Sequence, residues 1–97
     1  RVADDKRTAI AETLALINEQ LWLGHFELWS ASSALLFRHG ALLGPSAALT
    51  FDQAQLLIES AIDESERFYP VFQFVLWGGK TPAEAMAASL IETHGEA

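Results

Sequence analysis

At 97 residues and 51% hydrophobic positions, the chain is the size of one domain and holds enough apolar side chains for a core. Thirteen Asp and Glu against six Lys and Arg give a formal charge of -7, a field that repels phosphate backbones and weighs against nucleic acid as a partner. The absence of cysteine excludes disulfides, thiol nucleophiles and thiolate metal sites, and no apolar run is long enough to span a membrane.

The first predicted helix opens at Asp4 or Asp5, whose carboxylates can accept from the free amides of a first turn. Ile10, Leu14, Ile17 and Leu21 recur at helical spacing, and Leu28 and Leu35 continue the stripe. Trp22, Phe26 and Trp29 make a second stripe, rotated by about 100° from the first. Proline is absent from residues 1 to 44, and Gly40 offers a stop after Arg38 and His39. The spacing predicts a helix over residues 5 to 39, either continuous or broken near residues 30 to 33, where three serines weaken helix propensity. A continuous helix of that span would run about 50 Å. That outruns a compact domain of this size, so the helix breaks or a second subunit covers the excess.

Residues 41 to 49 hold Gly44 and Pro45 and read as a loop with apolar flanks. Thr50 and Gln53 have capping-box spacing and open a second helix at Phe51, with Ala54, Leu57, Ile58, Ala61, Ile62 and Ser65 on its apolar face. The helix runs to about Phe68 and is kinked or broken at Pro70. Residues 71 to 77, almost all apolar, read as a buried short helix, because a lone strand would leave its backbone unsatisfied. After Gly78 and Gly79, the trio Thr81, Pro82 and Glu84 marks the start of a last helix that runs to about Thr93. Its apolar side is Ala83, Met86, Ala87, Leu90 and Ile91. The expected class is therefore all-α: a small helical bundle over residues 1–97 as a single domain, completed by dimerisation.

Little in the sequence points to catalysis. His25, His39 and His94 are scattered, with neither HExxH nor Glu-x-x-His spacing, so no metal site and no cofactor is expected. Glu27 is the only charge between Gln20 and Phe37; burial among aromatic rings would raise its pKa, as in a general acid, whereas an exposed strip would leave it ordinary. Glu59, Asp63 and Glu66 share one helix face and form a candidate acidic docking surface. The aromatic residues Trp22, Phe26, Trp29, Tyr69, Phe72 and Trp77 are the candidate interface or pocket, because such rings give large contact area. These features describe a non-enzymatic helical protein–protein interaction module, homodimeric and cytoplasmic, with a second copy or another protein as partner. The alternative is a small-molecule-binding or sensory domain with an aromatic-lined pocket between helices. A small helical enzyme using Glu27 or His25 ranks third.

Overall fold

The computed structural model describes residues 1–45 and 47–95, with side chains described through Ser89. A 3-10 turn at Asp4–Lys6 leads into α1 (Arg7–Asn18). Two strands follow, β1 (His25–Trp29) and β2 (Ala34–Arg38), then α2 (Phe51–Leu76) and α3 (Pro82–Gly95). The strands pair antiparallel, with Phe26 opposite Phe37 and Leu28 opposite Leu35. The fold is mixed α/β, which corrects the all-α expectation.

The correction falls on residues 19 to 38. The helix stops at Asn18, and Gly24 turns the chain with φ +74. From there His25, Phe26, Glu27, Leu28 and Trp29 alternate polar and apolar up to the tryptophan, the two-residue period of a strand with one buried face. Phe26 is buried, and Leu28, Leu35 and Phe37 pack against the core beside it. Ser33, buried and at φ +56, closes the hairpin turn. Arg7 at the start of α1 secures that turn by donating to the Ser30 carbonyl at 3.1 Å and to the Ser33 hydroxyl. The expected cap at Asp4 or Asp5 does not form; the cap position of α1 is Lys6, and Asp4 instead accepts from Arg7. Asn18 ties the other end of α1 to β1. Its side chain donates to the Phe26 carbonyl at 3.1 Å and accepts from the Phe26 amide at 2.9 Å, taking the place of a neighbouring strand.

The later helices start where their caps are written. The Thr50 hydroxyl accepts from the Gln53 amide, and the Gln53 side chain accepts from the Thr50 amide. Thr81 and Glu84 repeat the exchange, and the Thr81 amide holds the Glu84 carboxyl below its usual range. The expected break at Pro70 is absent: α2 runs unbroken from Phe51 to Leu76, so residues 71–76 are helical as its continuation. Proline leaves the Glu66 carbonyl without its helical donor, but Glu66 is exposed and water can take that role. Phe68, Val71, Phe72 and Val75, all buried, hold the helix on both sides of the proline. The expected apolar positions Leu90 and Ile91, together with His94, lie outside the described side chains.

The core lies where α1, the inner face of the hairpin, the C-terminal half of α2 and Ala85 of α3 meet. The molecule is flat, 49 × 39 × 19 Å, with a radius of gyration of 15.3 Å against the roughly 12–13 Å of a compact chain this long. The N-terminal half of α2 reaches beyond the core and exposes Phe51, Leu56, Ile58 and Ile62. Among the described residues, no helix is long and apolar enough to cross a membrane.

Candidate functional site

The hairpin has two chemically distinct faces, and the strand period assigns each side chain to one of them. The inner face centres on Phe26, which meets Phe37, Phe72 and Phe68 edge to face at 5.0, 5.6 and 6.0 Å. This cluster fastens the sheet to α2. The outer face carries His25, Glu27 and Trp29 from β1 and, opposite His25, Arg38 from β2.

Glu27 is the hub of the outer face. Its Oε1 lies 2.7 Å from His25 Nε2 and 3.4 Å from an Arg38 guanidinium nitrogen. Its Oε2 accepts from the Trp29 indole N–H at 2.9 Å. Arg38 in turn sits 6.0 Å from the centre of the Trp29 ring. The hydrogen bond from His25 first, then that from Trp29, hold the Glu27 carboxyl below its usual range; desolvation opposes them, and the charge of Arg38 adds a lesser lowering. Of the two alternatives for Glu27, the raised pKa of a carboxyl buried among rings is not found, because the rings beside it are placed as donors and as a cation platform.

The six aromatic candidates separate. Phe26 and Phe72 belong to the core of one chain. Trp22, in the turn after α1, is 98% exposed; Trp77, at the C-terminal cap of α2, is 70% exposed. Trp29 and Tyr69 are about half exposed, Trp29 on the outer hairpin face and Tyr69 beside a hollow of about 250 Å³ between β2 and α2. The acidic candidates Glu59, Asp63 and Glu66 are exposed along α2, with Glu59 accepting from Gln55 at 2.9 Å. Among the described residues, no three His, Asp or Glu side chains gather as metal ligands.

A groove beside α2 leaves no mark in residue spacing. Ala41, Leu42, Leu43 and Leu49 lie along the N-terminal half of α2, and between them and the helix runs a groove of about 410 Å³. Its lining is dominated by Leu23, Leu42, Leu43, Leu49, Leu56 and Leu57, with His39, Gln53 and Ser60 as polar members. The clue was available in the leucines on either side of Gly44 and Pro45, which a solvated loop does not need.

A family model described as "YbjN: Putative bacterial sensory transduction regulator" matches residues 1–74, that is 74 of the 97 residues. The match takes in α1, the hairpin and α2 up to Phe74, and leaves α3 outside. No curated protein and no solved structure matches the chain.

Proposed function

The chain belongs to the YbjN family, and from that premise we propose that it is a non-enzymatic interaction module of a regulatory protein, which acts by burying apolar surface against a protein partner and forms a homodimer. The observation that carries this reading is the surface itself. The chain exposes 6824 Å², whereas a folded monomer of its mass exposes about 5,500 Å². Among the described residues, twelve large hydrophobic side chains are exposed, Trp22, Trp29, Tyr69 and Trp77 among them. Leu23, Leu42, Leu43, Leu49 and Leu56 of this set lie together along one groove, and grouped apolar surface marks interaction sites. The acidic face of Glu59, Asp63 and Glu66 adds solubility and selects for a partner that is neutral or basic at the matching position.

The groove along α2 favours a second reading, a small apolar ligand bound between residues 41–49 and α2, because its volume falls within the usual range for ligand sites. An enzyme built on Glu27 has less support. Its carboxyl is held ionised on the outer hairpin face, away from that groove.

Light scattering or sedimentation of the full chain across the micromolar range tests the leading reading. The expected mass is twice 10.6 kDa, falling toward 10.6 kDa on dilution. A mass of 10.6 kDa at every concentration refutes the homodimer.

A further inference from the structure

Among the described residues, one side of β2 has no partner. In an antiparallel pair, successive residues turn their N–H and C=O alternately toward the neighbouring strand and away from it. The Asn18 amide takes the outward groups of Phe26, which fixes the phase of the whole hairpin. Phe26 and Leu28 on β1, and their partners Phe37 and Leu35 on β2, are the outward-turned positions. Asn18 therefore caps the outer edge of β1. Among the described residues, the outward backbone groups of Leu35 and Phe37 meet no donor or acceptor. Ala34, Leu35, Leu36 and Phe37 also lack the proline, charge or bulge that usually protects an edge strand.

A helix face ends beside this edge. Phe51, Ile58, Ile62 and Tyr69 recur at spacings of seven, four and seven, which places them in one line along α2, and each is more than half exposed. Tyr69 and Ser65 form one wall of the hollow whose other wall includes Leu35, Leu36 and Phe37, so the C-terminal end of the helix line adjoins the strand edge. Gln55 and Ser65 fill the gaps in the line. It therefore carries no charge, on a chain of net charge -7.

We infer that two copies of the chain join here, β2 to β2 and antiparallel about a twofold axis through Leu36, making one four-stranded sheet with the two α2 lines facing each other beneath it. The inference rests on the homodimer reading above and specifies its surface. The register follows from the phase. The outward groups of Leu35 meet those of the second copy's Phe37, which sets Leu36 opposite its own counterpart and uses all five residues of the strand. Each Arg38 then lies opposite an Ala34, and the two arginines, the only charges on β2, are about 13 Å apart along the sheet. The four residues of the helix line expose roughly 500 Å² per copy. With the strand edge added, this approaches the roughly 800 Å² per partner of a specific interface.

The chain has no cysteine, so an introduced one reports on this geometry alone. Leu36→Cys, at a position paired with itself across the axis, is expected to form a disulfide-linked dimer under mild oxidation, while Glu27→Cys, one strand further out on each side, stays reduced. Leu36→Lys and, independently, Ile62→Glu are expected to weaken self-association by about tenfold or more with an unchanged far-UV circular dichroism spectrum. If either charged variant unfolds, the other and the cysteine pair still decide. A dimer that survives both charged variants and leaves Leu36→Cys unlinked overturns this surface and leaves the homodimer reading standing. A wild-type chain that stays single at all concentrations overturns both.

Discussion

Glu27 owes its chemistry to the phase of a strand. In a helix it would stand between the rings of Trp22, Phe26 and Trp29, and burial would raise its pKa. In β1, residues 25, 27 and 29 share one face, so His25 and Trp29 become its hydrogen-bond donors and Phe26 turns away into the core. The folded pKa lies below the ordinary value of 4.5, so the ionised carboxylate stabilises the folded hairpin at neutral pH. That contribution is complete above the unfolded value and is lost as pH falls through the lower folded one. Glu27→Gln is therefore expected to melt below the parent at pH 7, with the gap closing once the pH drops below about 4.5. Thermal melts at a series of pH values measure this. A gap that stays constant through the acid range would show that Glu27 acts through its shape and not its charge.

At the scale of elements, α2 and α3 were legible because their starts are local chemistry. Thr50 with Gln53, and Thr81 with Glu84, need only four consecutive residues to specify a helix start, and both exchanges form. The hairpin was hidden by a coincidence of spacing. Leu28 and Leu35 are seven residues apart, which is two helical turns but also the span that makes them direct partners across a tight hairpin. The alternation from His25 to Trp29 was the signal that separates the two, supported by Gly24 before it. Gly24 is the position where the hairpin most depends on one residue. Its φ is +74, and an added Cβ would stand 2.6 Å from the Phe37 ring and 3.0 Å from the Arg38 carbonyl oxygen. Gly24→Ala is expected to cost about 2–4 kcal/mol, combining the left-handed backbone with overpacking. Gly40→Ala meets nothing within 4 Å and is expected to change stability by about 0.5 kcal/mol or less. Urea unfolding of the two variants provides the comparison. Equal costs would place the hairpin entry elsewhere than at Gly24.

At the scale of the molecule, one long helix serves two regions of unequal burial. A 26-residue helix is about 39 Å long, yet its fully buried residues, Phe68, Val71, Phe72 and Val75, all lie in its C-terminal third. That part packs on α1, α3 and the Phe26 cluster, and it holds the fold. The other part carries exposed apolar residues and one wall of the leucine-lined groove. Periodicity in the sequence marked Ala54, Leu57, Ile58, Ala61 and Ile62 as one apolar face, yet Ile58 and Ile62 are exposed, because where the core ends depends on how far the hairpin and α1 reach along α2. The division makes a sharp contrast between two truncations. Phe72→Ala empties the centre of the core and is expected to cost about 3–5 kcal/mol, a large share of the roughly 5–15 kcal/mol that holds a small domain together. Leu56→Ala, at a residue 65% exposed, is expected to cost about 0.5 kcal/mol or less. Both are read from denaturant midpoints at a dilution where the chain is single, so that association does not add to stability. If Leu56→Ala proves as costly as Phe72→Ala, residues 41–49 close over α2 as a second core, and the apolar groove is part of the folded interior instead of a surface for a partner.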